Sequence, residues 1–457
     1  MKNIKFKTKF DDCKTLREIL DKIDDNFFQK MSLILFNIWI LYPLCMMLIT
    51  YYETNDIARD IMYYVLILMG SGGLIIGTFY LLKKYYKNQK FDIRENLPYL
   101  LGLILLLWLT FTSLFSINYR LSFTGEWYRK EGLETYLLYG GTFILGTMLT
   151  NKQYINILFN NLLIVEVIMA IISLIDNSFT FSLMSNQESY TGIFSQFNHY
   201  GYYLMFGIII SIFLFLNKKN KLKYLYLIIY GFLLYALIMN DTFGCYLAVL
   251  ITIILVIIYQ IFMKKNFKKN ILIILIFTFI SIFTYRYNQN VVYKNFKGLF
   301  VDAEVVSDTL KNKKIKKEKK FVYMDNIGTS RGILWRYGLK YIKESPVTGY
   351  GLEIIKIKYH EDNINQSRPH NILIQFGVAS GIPGIILYIS FILVILYRSI
   401  KKIKILNETI ICILFIVICY LISSMFGNSM FYTTPYFIIF LGILASNTFY
   451  KKLPNPL

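Results

Sequence analysis

Long apolar stretches separated by short charged or turn-forming segments run through most of the chain. A helix needs about 20 mostly apolar residues to cross the hydrocarbon core of a bilayer. Runs of that order fall near residues 31–52, 61–82, 97–117, 133–150, 154–175, 197–216, 222–239, 242–263, 270–285, 371–397, 408–426 and 432–450. The pattern predicts an all-α polytopic membrane protein of about 12 transmembrane helices. One interruption is far longer than the rest and predicts a large external, partly helical loop between the ninth and tenth spans. The expected organisation is an N-terminal arm (1–30), helices 1–9 (31–285), the external loop (286–370), helices 10–12 (371–450) and a short tail (451–457).

Composition agrees with a bilayer as solvent. The 457 residues are 56% hydrophobic and 17% charged, below the roughly one quarter usual for soluble domains. The net charge of +21 is unevenly spread. The N-terminus, the even-numbered loops and the tail hold 28 of the 49 Lys and Arg, the short odd-numbered loops hold four, and 17 lie in 286–370. Long loops translocate largely regardless of charge, so the asymmetry predicts cytoplasmic termini and an external long loop. Basic residues that mark the cytoplasmic helix ends do not form one groove, which argues against a nucleic-acid partner. Five cysteines, four of them inside apolar runs, show no metal-ligand spacing. The charged first thirty residues do not read as a cleavable signal peptide. Within them, Thr15-Leu16-Arg17-Glu18 fits a capping box, and Leu16, Ile19, Ile23 and Phe27 recur at helical spacing. An amphipathic helix over 15–29 on the inner membrane surface is expected.

The external segment carries most of the candidate chemistry. Seven lysines in 311–320 read either as a solvated loop or as a collector of anionic head groups and diphosphates. Thr329 or Ser330 can cap a helix that begins near Arg331, carries Leu334, Tyr337, Tyr341 and Ile342 on one face, and stops at Ser345-Pro346. Arg331 and Trp335 share a face of it, and a guanidinium there presents donors suited to phosphate oxygens. Gly349-Tyr350-Gly351 reads as a turn. The segment ends in Arg368-Pro369-His370-Asn371, at the mouth of the tenth span. His370 is one of three histidines; it can accept a proton near neutral pH, helped by a nearby cation that keeps it neutral, or it can simply hydrogen-bond the helix start. Glu166, with Asn160 and Asn161 earlier on the same span, either lines a cavity or sits protonated between helices. Asn240-Asp241, Ser423, Ser424, Asn428 and Ser429 fall toward the external face, where Trp127, Tyr128 and Tyr350 are available to stack on sugar rings.

The order Arg331-x-x-x-Trp335, helix, Pro346, Gly349-x-Gly351, spacer, His370-Asn371 and a glycine-containing span resembles the signature of the O-antigen ligase and O-antigen polymerase superfamily. Gly192 followed by Asn198 is similar to a weaker feature of the same family, and the resemblance runs over about 190–395. It implies a bacterial membrane glycosyltransferase that moves a glycan from undecaprenyl diphosphate to an acceptor hydroxyl at the external face of the cytoplasmic membrane, without metal or other cofactor. It implies His370 in activation of the hydroxyl and Arg331 on the diphosphate. Where the family often has Ser-Arg-Gly, this chain has Thr242-Phe243-Gly244. Arg336, Arg368, Arg120 and Arg129 are the candidates for the missing cation, with Trp335, Asn198 and Asn371 as further substrate-binding candidates. The expected partners are a lipid-linked oligosaccharide donor, a glycan or lipid acceptor, the bilayer and a chain-length regulator. Polymerisation is preferred over ligation to a lipid core. A flippase for lipid-linked glycans would instead need charges along a path through several spans, and a non-catalytic assembly partner would need none of the Arg331 and His370 pattern.

Overall fold

The computed structural model describes residues 13–52, 55–88, 92–179, 194, 197–264, 267–287, 291–311 and 324–448. The first twelve residues, Gly192, most of the lysine run and the C-terminal tail lie outside them. Regular structure among the described residues is all helical: α1 (Leu16–Lys22), α2 (Asp25–Tyr52), α3 (Asn55–Asn88), α4 (Ile93–Leu114), α5 (Tyr119–Thr124), α6 (Leu133–Met148), α7 (Lys152–Phe179), α8 (Phe197–Asn217), α9 (Lys223–Met239), α10 (Phe243–Phe262), α11 (Phe267–Tyr287), α12 (Val291–Lys311), α13 (Ile327–Glu344), α14 (Ile355–Glu361), α15 (Ile372–Lys401), α16 (Glu408–Ser424) and α17 (Thr434–Asn447).

A helix occupies each of the twelve apolar segments. Seven helices, α2, α3, α4, α7, α8, α10 and α15, contain stretches long and apolar enough to cross a membrane, and α9, α16 and α17 are shorter apolar helices. Helices α6 and α11 fill the remaining two segments. The N-terminal arm departs from expectation. Thr15 does cap α1 by accepting the Glu18 N–H at 3.3 Å, but the helix ends at Lys22, Ile23 is extended, and residues 25–29 begin α2.

Helix α6 is the centre of the bundle. It is only 16 residues long but buried along most of its length, clasped between α3 and α17. The approach is close because glycines face each other: a Cβ on Gly141 would lie 1.9 Å from the Gly70 carbonyl oxygen, and one on Gly146 would lie 2.3 Å from that of Ile439. Small residues let helix backbones meet where lipid supplies no hydrophobic drive.

Helix α15 is broken at Gly381 (φ 67°, ψ −171°), two residues before Pro383. The break strands backbone groups at 378–382, which in a bilayer must find partners. The segment that precedes α15 supplies most of them. Tyr350 N–H donates to Val378 O at 2.8 Å, Gly351 N–H to Ala379 O at 2.9 Å, and Ile382 N–H to Pro346 O at 2.8 Å. Trp108 of α4 donates from Nε1 to Ser380 O at 2.9 Å. The Gly349-Tyr350-Gly351 turn is therefore a clamp on the broken helix. Beyond the break, 382–401 alone rises about 30 Å, enough to cross the hydrocarbon core.

The rest of 324–370 packs on the first part of α15 through a small core of Leu334, Tyr341, Ile342, Ile355, Tyr359 and Val378. The α4–α6 connection latches on as well, with Ser116 and Ser122 hydroxyls donating to Tyr350 O and Leu352 O, both at 2.8 Å.

Candidate functional site

Helix α13 begins at Ile327 after Asn326, four residues before the expected start; Ser330, a proposed cap, lies inside it with φ 69°. It ends at Glu344 before Ser345-Pro346, as the sequence predicts. This run places Arg331 and Trp335 toward the start of α15. Trp335 Nε1 donates to Pro369 O at 2.9 Å, fixing the backbone just before His370. His370 sits at φ 51°, and Asn371 caps α15 by accepting the Leu373 and Ile374 N–H groups at 3.0 and 3.1 Å. The Asn371 side-chain amide also donates to Met425 O at 3.2 Å, tying this corner to the α16–α17 linker.

Three arginines surround the imidazole electrically. Burial, then the charges of Arg331, Arg129 and Arg368, lower the His370 pKa to about 4, so the ring is neutral at physiological pH. Arg331 is itself largely buried, which lowers its pKa, and no carboxylate pairs with it among the described residues. Arg129 is held by Ser367 Oγ at 2.6 Å and lies 3.7 Å from Glu126; burial and the charge of Arg368 bring it down to about 10. Arg368 is fully buried in an ion pair with Glu353. Burial alone would lower its pKa, but the Glu353 and Glu131 carboxylates outweigh it and the net shift is upward.

The other sequence candidates fall elsewhere. Arg336 forms a two-pronged pair with Asp325, Nε to Oδ1 at 2.8 Å and Nη2 to Oδ2 at 2.6 Å, which raises its pKa. Arg120 is exposed on α5. Asn198 is half-buried at the start of α8, next to His199. Trp127 and Tyr128 pack their rings on the Arg59 guanidinium at 4.5 and 4.9 Å, while the Tyr350 hydroxyl donates to Glu344 at 3.0 Å. Asn240 accepts from the Thr242 hydroxyl at 2.5 Å, and Ser423 and Ser424 are bonded within α16.

Of a second feature of this corner, the sequence pointed to Asn428, Ser429 and His370 and missed Glu131, His199, Gln375 and Thr433. Glu131 Oε2, both nitrogens of His199, His370 Nδ1, Gln375 Oε1, Asn428 Oδ1, Ser429 Oγ and Thr433 Oγ1 are buried without a hydrogen-bond partner among the described residues. Each such group costs about 1–3 kcal/mol unless something satisfies it, and these belong to residues in or just before the first turns of α6, α8, α15 and α17. His199 stands 5.8 Å from the Tyr432 ring of the α16–α17 linker. Together these groups form a cluster of buried polar atoms with unfilled hydrogen-bonding capacity, a chemistry suited to hydroxyl-rich or phosphate-bearing ligands. Beside it, an apolar cavity of about 320 Å³ is lined by Tyr99, Leu106, Tyr136, Tyr139, Phe376 and Phe391, with Ser429 reaching its polar edge.

Residues 228–389 match a family model described as O-antigen ligase. That span takes in Arg331, Trp335, Arg336, Glu353, Arg368, His370 and Asn371, and excludes Arg120, Arg129, Glu131, Asn198 and His199. No curated protein matches the chain.

Proposed function

We infer, from the match of residues 228–389 to the O-antigen ligase family model, that the chain belongs to the O-antigen ligase and polymerase superfamily and is an O-antigen ligase-type membrane glycosyltransferase. From this premise, we propose that it transfers a glycan from undecaprenyl diphosphate to an acceptor hydroxyl at the external face of the cytoplasmic membrane, as a polymerase of a surface polysaccharide. The observation that carries the proposal is the buried, neutral His370 in the field of Arg331, Arg129 and Arg368, with an apolar cavity nearby that can take the first isoprene units of a prenyl chain.

In this reading the anomeric carbon is attacked by the acceptor oxygen while its bond to the diphosphate breaks. Negative charge grows on the diphosphate, and fixed guanidinium groups in a partly dry site stabilise it. Arg331, without a carboxylate partner among the described residues, is the first contact. Arg129 stands in for the family arginine absent at Thr242-Phe243-Gly244, because it shares the His370 environment while Arg336 is committed to Asp325 and Arg120 faces outward. His370 accepts a hydrogen bond from the attacking hydroxyl and aligns it. The polar atoms of Gln375, Asn428, Ser429 and Thr433 bind sugar hydroxyls. A ligase acting on a lipid core would use the same donor chemistry, and a chain-length regulator would act outside this corner.

The test is purified protein in nanodiscs with lipid-linked oligosaccharide and EDTA. A ladder of lengthened lipid-linked glycans supports a metal-independent polymerase. Product formed only with a separate acceptor makes it a ligase, and lipid movement across the bilayer without transfer overturns the reading in favour of a flippase.

A further inference from the structure

The geometry leaves open where the proton of the acceptor hydroxyl goes. A proton placed on His370 would face three arginines. His199 lies in the field of Arg129, Arg368 and His370. Among the nearby carboxylates, Glu353 is paired with Arg368, Glu126 with Lys356 and Arg129, and Asp325 with Arg336. Glu131 differs from all of these. It has no cation at ion-pair distance among the described residues, it is 1% exposed, and its Oε2 has no partner.

We propose that Glu131 is the group that receives the proton leaving the acceptor hydroxyl. The inference rests on the transferase reading above. The acceptor oxygen forms its bond to the anomeric carbon, the electron pair of the broken carbon–oxygen bond stays on the diphosphate, and the hydroxyl proton passes through water or a neighbouring hydroxyl to the Glu131 carboxylate. Release of that proton to solvent or to the departing diphosphate resets the site, with no redox change. Glu131 is a proton-holding group and not one shown against substrate, so its role must be read from pH as well as from rate.

The setting suits the task. Glu131 follows a tight loop with Gly125 at φ 79° and Lys130 at φ 51°, and stands just before Gly132, the N-cap of α6. Its Oε1 accepts the Tyr139 hydroxyl at 2.5 Å, and Tyr139 and Tyr136 both line the apolar cavity. The carboxylate thus stands where the apolar cavity meets the charged corner. The charged and titratable groups facing it are Tyr136 and Tyr139 from α6, Arg129 from its own loop, Arg368 and Glu353 from the external segment, Tyr63 from α3 and Tyr420 from α16. Burial raises the Glu131 pKa, the Tyr139 bond and Arg368 pull it back, and it comes to about 7. Such a group gives up and takes a proton near neutral pH, where a general base is most effective.

The experiment compares wild type, E131Q and Y139F in the nanodisc transfer assay across pH, with infrared difference titration of the same proteins. Wild-type kcat should rise with pH through about 7 as Glu131 ionises. E131Q should lose about a hundredfold or more in kcat with little change in donor KM. Y139F removes a bond that favours the ionised form, so its acid limb should move to higher pH, which loss of packing alone would not produce. In the infrared, a protonated carboxyl titrating near neutrality should be absent from E131Q. Near-wild-type kcat with an unchanged acid limb in E131Q, or no such infrared difference, overturns the proposal. Absence of transfer by wild type from any lipid-linked donor would fell the transferase reading instead, and the infrared comparison would still decide whether Glu131 titrates there.

Discussion

Replacing Gly381 by Ala tests the coupling between the external segment and the broken helix. At φ 67° and ψ −171° the residue occupies a region that is essentially glycine-only, costing about 1–3 kcal/mol for another residue. The added Cβ would lie 2.1 Å from the Val347 carbonyl oxygen and 2.7 Å from that of Pro346, so the 345–352 stretch must retreat. Retreat breaks the three backbone bonds that cross from it to Val378, Ala379 and Ile382, worth about 0.5–1.5 kcal/mol each. The strain alone, about 1–3 kcal/mol, shifts the local equilibrium from clamped toward open by about five- to 140-fold, against the hydrogen bonds that hold the clamp shut. The same stretch joins α13, which carries Arg331, to α14 and His370, so transfer should fall as the clamp opens. Hydrogen exchange should show the Tyr350 and Gly351 amides of G381A losing protection while the amides of α6 keep theirs. Wild-type protection at those two amides, with wild-type transfer, would refute the reasoning.

Three further outcomes follow from the site. H370A should lose about 10²-fold in kcat through misalignment of the acceptor hydroxyl while membrane abundance, measured by immunoblot, stays constant; full activity would remove His370 from the mechanism. R129A should lower transfer strongly and R336A within a few fold, measured in the same assay, because one guanidinium stands in the His370 field and the other is bound to Asp325; the reverse order would exchange their roles. R368A strands the buried Glu353 carboxylate, and breaking such a pair costs about 3–5 kcal/mol, so the thermal midpoint in detergent should drop clearly and recover in part in R368M/E353L.

The helical segments were legible because the apolar runs that fit a bilayer are also the runs that form helices. The N-terminal helix was overextended because apolar spacing continues through Ile23 and Phe27, while the backbone turns at Ile23 before α2. The start of α13 was misplaced for a similar reason: Thr329 and Ser330 are good caps by residue type, but Ser330 N–H donates to Asn326 O, so a helical turn already precedes them. His370, Asn371, Trp335 and Arg331 came to one corner because a short segment of sequence holds them together. The clamp was hidden, since Gly349-Tyr350-Gly351 and Gly381 each look like ordinary turn signals and their pairing spans about thirty residues. Glu131, Glu353 and His199 were missed because an acid or histidine beside an apolar run looks like any interfacial residue until packing removes its water. The four arginine alternatives were separable only by their partners.

The proposed transfer requires the lipid diphosphate to be held at the corner of Arg331, Arg129 and His370. The most direct measurement is an electron cryomicroscopy map of the protein in nanodiscs with a prenyl-diphosphate glycan. The account predicts diphosphate density within hydrogen-bonding reach of Arg331 and Arg129, His370 beside the anomeric carbon, and the prenyl chain entering the cavity lined by Tyr99, Tyr136 and Tyr139. Diphosphate bound at the opposite ends of the helices, among Lys218, Lys269 and Arg398, or against Arg336 and away from His370, would contradict it.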